Sequence, residues 1–146
     1  MSTTMKFKRR DRVEIASNEE GFVGSYYEAM VVTELLREEY IVQYITLLKD
    51  NMSEPLREVV FAAEVRPNPP DISVTGFKLY DLVDAFDNDG WWVRKITGKV
   101  GNKYFVYFEC SSKDEFAYDF ERLRVHQDWV NGNWVLHENP LNRVSG

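Results

Sequence analysis

Four aromatic residues, Phe22, Tyr26, Tyr27 and Tyr44, lie in a stretch that also carries Glu19 and Glu20. Rings beside carboxylates suit a methylated ammonium ion. Methylation keeps the charge of lysine but removes hydrogen-bond donors, so the ion is better served by the negative faces of aromatic rings, at about 0.5–2 kcal/mol per ring contact. A nearby carboxylate adds Coulomb attraction and can accept the N–H that a dimethyl ion keeps. Tyr26 and Tyr27 are adjacent, so on a strand they face opposite sides and at most one is fully in a core.

Catalytic chemistry is poorly represented. His126 and His137 have no metal-ligand or triad spacing to Cys110 or to each other, and are expected at the surface. Gly98-Lys99-Val100-Gly101 lacks the surrounding glycine and hydroxyl residues of a phosphate-binding loop and reads as a hairpin turn. Carboxylates are plentiful but none stands in a recognisable acid–base context. The expectation is a binding module without a cofactor or metal, not an enzyme.

The net charge is −6, which attracts basic partners and repels phosphate backbones. Lys6-Phe7-Lys8-Arg9-Arg10 is the single basic cluster. One cysteine, Cys110, excludes an intrachain disulfide and fits a reducing compartment. Met1 to Arg12 holds no signal-like apolar run, and no segment approaches membrane-spanning length. These features suggest a soluble intracellular protein, and the ends suggest a segment of a longer one.

The elements that must position the rings repeat. Phe7-Lys8-Arg9-Arg10-Asp11-Arg12-Val13-Glu14 returns seventy positions later as Phe77-Lys78-Leu79-Tyr80-Asp81-Leu82-Val83-Asp84. An acidic turn then leads to paired aromatics, Tyr26-Tyr27 or Trp91-Trp92. In the first copy, alternation and β-branched content predict strands over 11–16, 27–33, 40–45, 59–61 and 65–67. In the second they predict strands over 81–86, 91–96, 104–109 and 116–125, then a hairpin around Asn131-Gly132. Pro67-Asn68-Pro69-Pro70 interrupts regular structure and marks the junction. The predicted class is all-β, two small β-barrels over 5–67 and 75–137, packed as one rigid body because the linker is short and stiff. Trp91, Trp92, Phe86 and Phe108 read as packing groups of the second copy, and Trp129 and Trp134 as a seal on a barrel or interface.

The residues Phe77-Lys78, Asp81-Leu82-Val83-Asp84-Ala85, Asp89-Gly90-Trp91-Trp92, Arg122-Leu123-Arg124, Asp128-Trp129-Val130 and Trp134 resemble the plant Agenet domain. Arg12-Val13-Glu14-Ile15 and Gly24-Ser25-Tyr26-Tyr27-Glu28-Ala29 resemble the companion domain of a tandem pair. The latter pattern is also similar to the tandem Agenet region of fragile X mental retardation protein. The resemblance covers residues 7–135 and is strongest to a heterochromatin-associated plant Agenet protein. It implies Tudor-like barrels of the Royal family that read a methylated lysine in the nucleus, specifically the dimethylated heterochromatin mark on the third core histone. Tudor cages draw on the loop after the first strand, the start of the second and the end of the third. Those positions are Phe22, Tyr26 or Tyr27, and Tyr44, with Leu47 where a further aromatic often stands.

The leading expectation is therefore a histone-tail reader, a monomeric unit of a longer multi-Agenet protein. Its cage lies in the first copy, and an acidic inter-domain groove holds an unmodified basic residue. The candidate acidic residues are Glu19, Glu20, Asp50, Glu54, Asp87, Asp89 and Glu115. Replacing Tyr27 or Tyr44 by alanine should abolish binding in a folded domain. The alternatives are an RNA- or DNA-binding tandem, which the net charge disfavours, and a scaffold that adds peptides to a sheet edge.

Overall fold

A computed structural model of the chain describes residues 6–17, 24–49, 53–107 and 115–136. Contacts divide it into two units, Met1–Pro69 with Asn88–Trp91, and Pro70–Asp87 with Trp92–Gly146. In the first unit β1 (Arg12–Ala16), β2 (Ser25–Leu35), β3 (Glu39–Leu48), β4 (Pro55–Phe61) and β5 (Val65–Pro67) form an antiparallel sheet in the order β5-β1-β2-β3-β4. One turn of 3₁₀ helix, Ala62–Glu64, leads from β4 into β5. Alternate residues turn inward, as the two-residue period of a strand requires. Val13, Ile15, Ala29, Val31, Tyr40, Val42 and Val60 make the core, with Phe7 packed against it. The β2–β3 register shifts between Val31 and Thr33, a bulge of the kind that bends a strand.

Several strands are longer than their composition suggests. β2 and β3 run on to a turn of three residues, because Arg37 (φ 66°) and Glu38 (φ 59°) both adopt the left-handed conformation of a tight hairpin. β4 begins at Pro55 rather than Val59: Glu58 pairs with Val42, and Arg57 pairs with Gln43, whose side-chain oxygen accepts the Arg57 Nε–H at 2.9 Å.

The second unit contains β6 (Leu82–Asp87), β7 (Gly90–Val100), β8 (Lys103–Tyr107), β9 (Glu115–Asp119) and β10 (Leu123–Val125), in the order β10-β6-β7-β8-β9. The first two residues of β7 belong to the first unit. A 3₁₀ turn, Phe120–Arg122, breaks the expected strand over 116–125 into β9 and β10. The hairpin β11 (Gln127–Val130) and β12 (Asn133–Leu136) follows. Asn131 (φ 50°) and Gly132 (φ 80°) make its turn, and the half-buried Trp129 and Trp134 rings pack across it at 5.0 Å.

The sequence repeat is a repeat of contacts. Asp11 Oδ2 accepts the Lys8 N–H and Asp81 Oδ2 the Lys78 N–H, each at 2.8 Å, around left-handed Arg10 and Tyr80. The Phe7 and Phe77 N–H groups donate to the hydroxyls of Tyr40 and Tyr104, each at 3.2 Å. A cross-strand ion pair on a buried carboxylate recurs too: Arg66 Nη2 lies 2.7 Å from Glu14 Oε1, and the half-buried Arg124 has Nε 2.9 Å from Asp84 Oδ2. The second pair has a further member. His126 is buried, not at the surface, with Nδ1 2.7 Å from Asp84 Oδ1 and Nε2 3.0 Å from Asp128 Oδ1. Its place between two carboxylates is what holds it inside. His137 lies outside the described residues.

Candidate functional site

Tyr27, near the start of β2, and Tyr44, late in β3, reach the same face of the first unit because Ala29 and Tyr44 are cross-strand partners and Tyr27 stands two residues before Ala29. Their rings meet edge to face, with centroids 6.5 Å apart and planes at 90°. They line a cavity of about 440 Å³. Its apolar wall includes Ile15 of β1, Leu47 of β3 and Leu56 of β4. Its charged groups among the described residues are Glu58 of β4 and Glu64 of the 3₁₀ turn. The Tyr44 hydroxyl donates to Glu58 Oε2 at 3.0 Å, and Glu64 Oε1 accepts the Phe61 N–H. Two rings, aliphatic walls and two carboxylates offer a cation both π faces and acceptors.

The two tyrosines differ in burial. Tyr27 is half-buried, whereas Tyr44 is only 5% exposed and belongs to the core. Truncating Tyr44 therefore removes core packing as well as a ring face. Tyr27 has a close neighbour in its own unit. A Cβ built on Gly90 would lie 2.7 Å from Tyr27 Cε1, so only glycine lets the ring sit there without a shift.

Among the described residues, the remaining aromatic candidate, Tyr26, does not line this cavity. Tyr26 lies under the Arg66 guanidinium, whose Cζ is 3.5 Å from the ring centroid, and so caps the buried Glu14–Arg66 pair. Phe22 lies outside the described residues, as do Glu19, Glu20 and Asp50. Glu54 is exposed and bonded to Lys49 Nζ at 2.7 Å; that hydrogen bond and the lysine charge lower its pKa. Asp87 is committed within the second unit, where it accepts the Tyr118 hydroxyl and its carbonyl accepts Trp92 Nε1–H at 2.8 Å. Asp89 is exposed at a left-handed turn position (φ 65°), and its carbonyl accepts the Thr46 hydroxyl at 2.6 Å. Glu115 opens β9, paired with Tyr107, rather than closing a loop.

Sequence reasoning missed Glu58, Glu64, Leu56 and Ile15. The signal was alternation in Leu56-Arg57-Glu58-Val59-Val60, which continues β4 backwards across two charged residues and turns Glu58 from a loop charge into a strand position facing Tyr44.

A profile of the Agenet domain matches residues 10–70. The chain is 37% identical over 125 residues to the Arabidopsis thaliana protein AGENET DOMAIN (AGD)-CONTAINING P1, covering 85% of this chain and 24% of that protein. It is 33% identical to Arabidopsis thaliana DUF724 domain-containing protein 6, covering 88% of this chain and 19% of that protein. The chain thus spans a quarter or less of these relatives. Among solved structures, the AGD34 region of Arabidopsis thaliana AGDP1 superimposes with a TM-score of 0.85 at 35% identity, over 90% of both chains. Tandem Agenet domain 3-4 of ADCP1 superimposes with a TM-score of 0.80 at 31% identity, over 90% of this chain and 89% of that one. The repeated contacts, the paired five-stranded units and these matches together show that the chain belongs to the Agenet domain family, as a Tudor-like tandem Agenet domain.

Proposed function

We propose that this tandem domain reads a methylated lysine on a histone tail, the dimethylated heterochromatin mark on the third core histone, in the nucleus. The observation that carries the reading is the right-angled Tyr27–Tyr44 pair lining a cavity that also holds the Glu58 carboxylate. Two perpendicular faces can contact different methyl groups of one ion, and the carboxylate can take the N–H that a dimethyl ion retains. Aliphatic Leu47 and Leu56 exclude water at the sides, where a cation gains most from ring faces. The tail's unmodified basic groups fall to the exposed acidic side chains Glu54 and Asp89, with Glu19, Glu20, Asp50, Asp87 and Glu115 as the further candidates. A second contact on the same peptide raises affinity without a second cage.

The test is titration calorimetry with peptides of the third core histone, unmodified or bearing one, two or three methyl groups at the heterochromatic lysine. Binding confined to methylated peptides, with the dimethyl form preferred, supports the reading. Equal affinity for the unmodified peptide refutes it.

A further inference from the structure

The two units answer the same question differently at one strand position. The Arg10 N–H donates to the Val31 carbonyl, and Val31 N–H to that of Asp11; in the second unit Tyr80 N–H donates to Ile96 and Ile96 N–H to Asp81. Val31 pairs with Val42 and Ile96 with Val106, and each strand shifts register just beyond. Val31 and Ile96 are therefore equivalent, and counting back by two sets Ala29 against Arg94 and Tyr27 against Trp92. The pairs Tyr40–Val60 and Tyr104–Tyr118 likewise set Val60 against Tyr118.

Tyr27 and Val60 line the cavity of the first unit, where the strand position between Tyr27 and Val31 carries only the methyl of Ala29. In the second unit the same inward position carries a full arginine side chain, 9% exposed. Its Cζ lies 5.5 Å from the Trp92 ring centroid, in reach of the cation–π attraction. It is near enough to Tyr118 for its charge to act on that hydroxyl, which itself donates to Asp87. The guanidinium thus has the ring of the Tyr27-equivalent residue in cation–π reach, and its charge acts on the hydroxyl of the Val60-equivalent residue, which donates to Asp87.

We propose that Arg94 is an internal ligand. Its guanidinium occupies in the second unit the position that corresponds to the Tyr27 cavity of the first, and the second unit takes an external guanidinium or methylated ammonium once Arg94 is removed. That the Tyr27 cavity itself takes a cation rests on the reading given above. The occupancy by Arg94 does not.

The experiment compares Tyr27→Ala with Tyr27→Ala/Arg94→Ala, so that the first cavity contributes nothing to either protein. Thermal melting is followed with added methylguanidinium chloride and, at equal ionic strength, sodium chloride. A ligand that binds only the folded protein raises its melting temperature. Methylguanidinium also solvates the unfolded chain and lowers both melting temperatures relative to sodium chloride, so the expected result is a lowering smaller by a few degrees in the double variant than in Tyr27→Ala. An equal lowering in the two proteins, or a larger one in the double variant, overturns the proposal. A second measurement needs no Arg94 substitution and decides the matter if the double variant does not fold. In the ¹⁵N–¹H spectrum of the unsubstituted protein, Arg94 Hε should exchange slowly with water and move upfield from Trp92 ring current. A free-arginine shift with fast exchange overturns it. Neither readout involves a methylated peptide, so failure of the histone reading leaves both results interpretable.

Discussion

Glu14 and Arg66 face one another across β1 and β5, at 2.7 Å and with side chains 1% and 5% exposed. Asp84 and Arg124 hold the same cross-strand position in the second unit. A charge buried this deeply is tolerated only with its partner, so the pair fixes the β1–β5 register more than it adds net stability.

Glu14→Ala removes the carboxylate partner of the buried Arg66 guanidinium and is expected to cost about 3–5 kcal/mol. The double variant Glu14→Leu/Arg66→Met exchanges the pair for apolar packing and should recover most of that loss. Denaturant unfolding of both variants checks this. A double variant as unstable as the single one would show that the pair does more than satisfy its own charges.

The β2–β3 turn is a place where the chain resists its own fold. Arg37 and Glu38 both hold positive φ, which side chains with a Cβ adopt at about 1–2 kcal/mol each. The corresponding β7–β8 turn has Gly101 at φ 60°, followed by Asn102. Arg37→Asn/Glu38→Gly should therefore raise stability by about 1 kcal/mol, seen as a higher denaturation midpoint with unchanged peptide binding.

Tyr118 sets an alkaline limit. Burial first, then the hydrogen bond to Asp87 and the charge of Asp87, push its pKa from the ordinary 10.0 up to about 12, against the opposing pull of Arg94 and Arg122. Between those values the unfolded chain has lost a proton that the folded protein keeps, so stability is full below pH 10 and falls as pH rises through the window. Tyr118→Phe should flatten that decline. Unfolding midpoints measured below and within the window check it, and an equally steep decline in the variant would assign the slope to another group.

Glu58 is the group expected to sense methylation state. Glu58→Gln keeps the shape of the side chain but removes the charge, and a hydrogen bond to a charged group contributes about 1.5–3 kcal/mol. Affinity for a dimethyl-lysine peptide should fall more than affinity for its trimethyl counterpart, which has no N–H to donate. Parallel calorimetric titrations of the two peptides read the difference, and equal losses would take Glu58 out of the ion's contact shell.

Much of this was legible in the chain because it rests on period and repeat. The alternation in Val13-Glu14-Ile15 located β1, and the return of Phe-Lys and Asp seventy positions later located its counterpart. Tyr27 and Tyr44 could be brought together on paper because antiparallel pairing dictates that the start of one strand meets the end of the next. Tyr26 could not be separated from Tyr27, since the choice of inward ring is fixed by a long-range partner, Arg66, forty positions away. Nothing local in the sequence marks Glu14 and Asp84 as buried, and His126 reads as a surface residue. Each is instead inside, because each has a partner distant in sequence that makes burial tolerable. Arg94 is hidden by the same effect: within Trp92-Val93-Arg94-Lys95 nothing local says which cation turns inward.

The central claim is that the Tyr27–Tyr44 cavity holds a methylated ammonium. Tyr27 is the ring to remove, since it is half-buried while Tyr44 also supports the core. The most direct measurement is calorimetric titration of Tyr27→Ala and the unsubstituted protein with the dimethylated peptide of the third core histone, after circular dichroism shows matching folds. The account predicts a loss of about 0.5–2 kcal/mol, roughly two- to thirtyfold in affinity, with the unmodified peptide unaffected. Unchanged affinity for the dimethylated peptide in a folded Tyr27→Ala protein would contradict it.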